Sequence, residues 1–114
     1  VTYEAFDVVV VPFPFTDRKA TKRRPSLVLS RSDSFGDKIG HSVLAMITSR
    51  GNAPWPLDVP IADGLSAGLT VPSVVRMKLF TLDHRLILRK AGNLTRADRR
   101  AVPDSLEHLL VAKT

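Results

Sequence analysis

The chain has 114 residues, enough for one domain (1–114) and too few for two well-formed ones. It contains no cysteine, which excludes disulfides and thiolate metal sites, and its 44% hydrophobic and 25% charged residues match an ordinary globular composition. Lysine and arginine outnumber aspartate and glutamate 17 to 11, a net charge of +6 that favours a polyanionic partner such as nucleic acid or an acidic peptide.

No apolar run approaches the roughly 20 residues that span a bilayer. The longest, Val8-Val9-Val10-Val11, is stopped by Pro12 and Pro14. The first residues lack the basic, then apolar, then small-residue order of a secretory signal, so a cytoplasmic protein with no membrane association is expected.

In chain order, residues 6–15 (FDVVVVPFPF) read as a strand whose prolines argue against full pairing toward its end. Phe13 and Phe15 read as core or interface. Residues 16–24 form a polar loop carrying Arg18, Lys19, Lys22, Arg23 and Arg24, a density of charge that suits a binding rim. Residues 25–31 are the second strand, 32–38 (SDSFGDK) a loop, and 41–48 the third strand, which ends in the hydroxyls of Thr48 and Ser49. If the second and third strands pair antiparallel, the start of one lies beside the end of the other. Arg24 and Thr48 then meet at one rim of a sheet, a combination suited to holding a phosphate.

Residues 50–54 read as a turn and 55–61 as a short edge strand, because Pro56 and Pro60 cannot donate to a ladder. Trp55 reads equally as a stacking platform for a base and as an anchor for a small core. A glycine-bearing loop follows at 62–69, then a strand at 72–82, a turn around Asp83-His84-Arg85, and a shorter strand at 86–90. Thr95 precedes Asp98 by three residues, a loose capping box. Val102, Leu106, Leu109 and Leu110 then give a helical apolar stripe, which Pro103 divides or kinks. Five or six short strands and a C-terminal helix predict a mainly β protein, a curved barrel-like sheet partly covered by the helix.

Metal chemistry is poorly supported, since His41, His84 and His108 are not in ligand-spaced pairs, and neither a phosphate-cradling glycine loop nor a nucleophile elbow is present. No metal and no cofactor is expected. RNA cleavage needs less machinery, because the substrate brings its own nucleophile, the 2′-hydroxyl. The enzyme then orients it, stabilises charge on the phosphate and moves two protons. Arg24 suits charge stabilisation, and Thr48 suits fixing a phosphate oxygen or the 2′-hydroxyl. Arg24 is a poor general base because its reference pKa lies above ~12. A histidine, Asp83 or another basic side chain remains open for that role.

The stretches DVVVVPFPFTD (7–17), KRRPSLVLS (22–30), LAMITS (44–49) and VVRMKLFTLDHRLI (74–87), continuing into GNL (92–94), resemble the MazF/PemK family of toxin endoribonucleases from toxin–antitoxin pairs. The resemblance spans nearly the whole chain. It implies a small SH3-like barrel of the CcdB/Kid/MazF type and a homodimer. It also implies metal-independent cleavage of single-stranded RNA, leaving a 2′,3′-cyclic phosphate and a 5′-hydroxyl. The family's catalytic arginine falls on Arg24 and its catalytic threonine on Thr48. Lys22, Arg23, Ser49 and Arg76 are the expected RNA contacts. An antitoxin with a flexible, often acidic tail is the implied partner, which suits the positive charge of this chain.

Two departures stand out. Phe6 occupies a position where many members have glycine, and Met77 falls where some PemK-type members have an aspartate thought to move a proton. The competing reading is a non-catalytic relative, either an RNA-binding module or a CcdB-like inhibitor of DNA gyrase. The Arg24/Thr48 pair favours cleavage, because a gyrase-binding toxin has no need for it.

Overall fold

A computed structural model describes residues 2–13 and 22–111. Six strands, β1 (Asp7–Phe13), β2 (Lys22–Val28), β3 (His41–Ser49), β4 (Val59–Ile61), β5 (Ser73–Asp83) and β6 (Arg89–Asn93), form one antiparallel sheet in the order β4-β5-β3-β2-β1-β6. The sheet is a half-barrel, with β4 and β6 as its edges. Among the described residues three short α-helices accompany it: α1 (Asp37–Ile39), α2 (Arg96–Arg99) and α3 (Val102–Leu109).

Alternation along the strands explains the unbroken apolar run near the start. Val8 packs with Leu27, Ala45, Ile47, Val75 and Met77 on one side of the sheet, where Leu94 and Val102 close the core. Val9 and Val11 pack with Val28, Leu44 and Ile87 on the other. β1 is thus buried on both faces, and each such aliphatic side chain contributes about 1.5–3 kcal/mol.

Several boundaries differ from expectation. Lys22, Arg23 and Arg24, expected in a loop, are strand residues facing Phe13, Pro12 and Val11 of β1. The remainder of that basic loop, Arg18 and Lys19 included, lies outside the described residues, as do Phe15 and the side chain of Phe13. The segment expected as a loop at 32–38 winds into a π-type turn (Ser32–Gly36) and α1, ended by Gly40 at φ 67°. The fourth strand forms only at Val59–Ile61, though at the edge as its prolines require. The last strand starts three residues later than expected. The Asp83 carboxylate accepts from the Arg85 amide at 2.8 Å and caps a 3₁₀ turn (His84–Leu86) there.

At the C-terminal end the capping pattern holds: Thr95 Oγ1 accepts from the Asp98 amide at 3.2 Å. The Asp98 carboxylate in turn accepts from the amides of Ala62 and Asp63 at 3.0 and 2.8 Å, tying α2 to the exit of β4. Pro103 sits in the first turn of α3, separating it from α2. Only half of the apolar stripe packs: Val102 is buried and Leu106 touches the core, whereas Leu109 and Leu110 are exposed. Among the described residues no helix is long and apolar enough to cross a membrane.

Phe6 adopts φ 74°, the left-handed region that glycine enters freely. Its amide donates to the Val28 carbonyl at 2.7 Å and its carbonyl accepts from the Leu94 amide at 3.0 Å. Those bonds, and the Arg99 guanidinium 5.1 Å from its ring centroid, hold the residue in a conformation worth about 1 kcal/mol of strain.

Candidate functional site

The ladder between β2 and β3 is short, running only from Ser26↔Met46 to Val28↔Leu44. Beyond Ser26, β2 pairs among the described residues with β1 alone, so Pro25 sits in a stretch bonded there on one side, where a residue without an amide hydrogen is tolerated. At the same level the β3–β5 ladder shifts register, from Ala45↔Leu79 to Met46↔Arg76, so that β5 bulges at Met77 and Lys78. Past this point β2 and β3 no longer bond, and a cleft of about 550 Å³ is lined from one side by Lys22, Arg23, Arg24 and Pro25 and from the other by Ile47, Thr48 and Ser49. The same register carried two residues further sets Arg24 opposite Thr48.

The far wall comes from the segment before β5 and from β6. Gly68 through Val71, Leu88, Arg89 and Ala91 line it. That segment lies directly on β6. A Cβ on Gly92 would fall 2.3 Å from the Ser66 carbonyl oxygen, and one on Gly68 would fall 2.4 Å from that of Ala91. Gly68 also needs φ 73°. Close backbone contact, rather than side-chain packing, therefore sets the width of the cleft on this side.

Among the described residues, the ionisable side chains lining the cleft are Lys22, Arg23, Arg24 and Arg89, all cations, while Thr48, Ser49, Thr70 and Ser73 supply hydroxyls. Such walls suit a polyanion held by charge-assisted hydrogen bonds. Thr48 is only 5% exposed, and its Oγ1 accepts a 2.6 Å hydrogen bond from Asn52 Nδ2. Ser49 is exposed, and its Oγ accepts from the Gly51 amide at 3.2 Å.

Five expected site residues thus come together at one rim: Lys22, Arg23, Arg24, Thr48 and Ser49. Arg76 departs from the expectation of a phosphate contact. It does not line the cleft, it is buried, and its guanidinium is committed elsewhere. Nε and Nη2 donate to Asp58 at 3.2 and 3.0 Å, Nη2 also donates to the Ala53 carbonyl at 2.9 Å, and Trp55 stacks on it at 4.9 Å. Trp55 is therefore a partner of Arg76, 44% exposed, rather than a core anchor.

The acid–base candidates lie away from the cleft. His41 pairs across strands with Asp83, seven residues along β3 from Thr48, a distance of about 23 Å for extended chain. Hydrogen bonds from the side chain and backbone of Arg85 hold the Asp83 carboxyl well below the usual range, so it is a weak proton acceptor there. His84 belongs to the same end, bonded to Ser42 Oγ at 2.7 Å with Tyr3 edge-on at 4.9 Å. His108 lies on α3 and its Nδ1 pairs with the Asp104 carbonyl oxygen. Met77, where the family resemblance led one to look for an acid, is part of the core.

Sequence reasoning missed Asn52, Asp58 and Arg89. Asn52 lies in a stretch whose composition signals only a turn, Asp58 was an unremarked residue of an expected edge strand, and Arg89 was one cation among many on a short strand.

Residues 4–110 match the family model described as PemK-like, MazF-like toxin of type II toxin-antitoxin system. Among solved structures, the chain is similar to the Mycobacterium tuberculosis toxin MazF-mt6, at 22% identity and a TM-score of 0.72, over 90% of this chain and 93% of that one. It is also similar to MazE-MazF (Form-II) from Deinococcus radiodurans, at 22% identity, a TM-score of 0.74 and 99% of each chain. MazF (Form-I) from Deinococcus radiodurans gives 22% identity, a TM-score of 0.75 and 96% of each. At these identities the structural likeness is one of fold. Among curated proteins none matches. With the family model matching all but a few residues at either end, the chain belongs to the PemK-like, MazF-like toxins of type II toxin–antitoxin systems, a family known as toxin endoribonucleases.

Proposed function

We propose that this chain is a metal-independent endoribonuclease that cleaves single-stranded RNA at the β2–β3 rim. The observation that carries the reading is the cleft lined by Arg24 on β2 and Thr48 on β3, with no carboxylate among the described lining residues to repel a phosphate. In the reaction the 2′-oxygen attacks the adjacent phosphorus, the P–O5′ bond breaks, and a 2′,3′-cyclic phosphate and a 5′-hydroxyl result. The 2′-hydroxyl gives up its proton to water, and the departing 5′-oxygen takes one from water.

Arg24 presents a planar, permanently charged fork to the non-bridging oxygens as negative charge builds on them. Thr48 holds one of those oxygens in place. Lys22, Arg23, Ser49 and Arg89 hold the flanking backbone. Rate acceleration comes from orientation and charge stabilisation rather than from a tuned acid–base pair.

The partner follows from the same charge. The complexes of MazE with MazF from Deinococcus radiodurans and of a mycobacterial endoribonuclease with its cognate antitoxin carry over here as a model. A cognate antitoxin lays a flexible acidic tail across the cationic cleft, competing with RNA. The toxin acts as a homodimer in the cytoplasm.

The test is incubation of the purified protein with a long single-stranded RNA in EDTA, beside Arg24→Ala and Thr48→Val. Discrete cuts with 5′-hydroxyl ends, lost in both folded variants, are expected. Intact RNA after exposure to well-folded wild type would redirect the reading to a binding module or a gyrase inhibitor.

A further inference from the structure

The loop that follows Thr48 is pinned unusually well for a polar turn. The Asn52 amide donates to the Ser49 carbonyl at 3.2 Å, and the Gly51 amide to Ser49 Oγ, closing a tight turn at the end of β3. One residue further on, the Ala53 carbonyl accepts from buried Arg76. Arg76 is fixed by two bonds to Asp58, and Asp58 by a 2.9 Å bond from the Trp55 amide. Between these anchors the Asn52 side chain turns back onto Thr48, its Nδ2 only 2.6 Å from Oγ1. The turn thus ends in one specific contact, made to a residue of the proposed reaction.

From this arrangement we infer that Asn52 is a positioning residue: it sets the direction of the Thr48 hydroxyl proton. A hydroxyl has one hydrogen to donate and two lone pairs to accept with. With one lone pair filled by the Asn52 amide, the O–H is left to donate, and donation into the hydroxyl oxygen polarises that O–H and strengthens it. Thr48 then meets the phosphate as a donor fixed before the substrate arrives. Without Asn52 the hydroxyl rotates freely, and its orientation has to be found during the reaction. The inference rests on the nuclease reading.

The experiment compares wild type, Asn52→Ala and Asn52→Asp, with Thr48→Val alongside, on a fluorescent single-stranded RNA oligonucleotide carrying one mapped cleavage site. The rate at saturating RNA is measured separately from KM. Asparagine and aspartate have the same shape and both suit the turn, but a carboxylate has no proton to give and reverses the bond, drawing the Thr48 hydrogen to itself. The expected result is a drop in the saturated rate of about 10-fold for Asn52→Ala, where water takes over the bond, and about 100-fold for Asn52→Asp. Thermal melts of both variants should match wild type. If Asn52 only shapes the turn, Asn52→Asp keeps the wild-type saturated rate, and charge repulsion raises KM alone. That result, with Thr48→Val inactive, would overturn the inference and leave the nuclease standing. If Thr48→Val cleaves like wild type, the role of Thr48 and the inference fall while the nuclease stands; intact RNA with well-folded wild type removes the nuclease reading itself.

Discussion

Removing Asp58 should cost this domain a large fraction of its stability. Arg76 and Asp58 side chains are 8% and 13% exposed, and the carboxylate supplies two of the three acceptors around the guanidinium. Asp58→Ala leaves that cation buried against one carbonyl and an indole face. Breaking a buried pair from one side costs about 3–5 kcal/mol, and the residual exposure favours the lower end. With about 2.1 cal/mol/K of unfolding entropy per residue, ~3 kcal/mol lowers Tm by about 12 °C for 114 residues. Urea denaturation and calorimetry read the change directly. Burial works against the charged form of Asp58. The hydrogen bonds from Arg76 and the Trp55 amide, together with the charge of Arg76, outweigh it and hold the carboxyl below its ordinary value. The folded state therefore binds this proton more weakly than the unfolded chain. Its contribution is complete above a pH of about 4 and lost as pH falls through the depressed folded value. Asp58→Asn should accordingly show a shallower acid limb than wild type. A loss under 1 kcal/mol in Asp58→Ala would refute the reasoning, since it would mean that water solvates Arg76 as well as Asp58 does.

Other consequences are as open to measurement. Gly92→Ala should lower the urea midpoint, because its methyl would meet the Ser66 carbonyl 2.3 Å away; a loss of about 2 kcal/mol or more is expected, with the cleft widened. Ser26→Ala should be neutral or stabilising by up to about 1 kcal/mol, since the buried Ser26 hydroxyl has no hydrogen-bond partner among the described residues; a clear destabilisation by the same assay would reveal one. RNA affinity should fall with salt with a log–log slope near −3 if Lys22, Arg23, Arg24 and Arg89 each meet a phosphate, and Arg89→Ala should flatten it by about 0.7. An unchanged slope in that variant would remove Arg89 from the interface.

The rim itself could be read from the sequence because it depends on two local signals. A cationic start to one β-branched run and a hydroxyl end to the next meet whenever the two runs pair antiparallel. The cleft could not be read, because it opens where the β2–β3 ladder stops, and its far wall is a loop pressed onto β6 by backbone contact at Gly68 and Gly92. Phe6 is instructive in the same way. In the sequence it was only a departure from a family pattern, and its positive φ appears only in the structure. Arg76 misled because an arginine in a strand beside a basic rim resembles a phosphate ligand. Only tertiary structure brings it to Asp58, 18 residues away.

That buried pair also shows what stability alone would leave unexplained. A methionine–leucine pair of similar volume at positions 76 and 58 could equal or exceed it in stability, because two charges would no longer need desolvation. Such a double replacement still lacks the bond from Arg76 to the Ala53 carbonyl and the guanidinium stacked on Trp55. The turn carrying Asn52 would then keep its bonds at Ser49 and from the Arg50 amide to the Pro72 carbonyl but lose its anchor at Ala53, and the bond from Asn52 to Thr48 would form for part of the time. Asp58→Leu combined with Arg76→Met should therefore melt near wild type, yet cleave RNA more slowly at saturation, by up to the factor lost in Asn52→Ala. A double variant that is both stable and fully active would show that Thr48 needs no anchored loop, and the two observations would have to be explained apart.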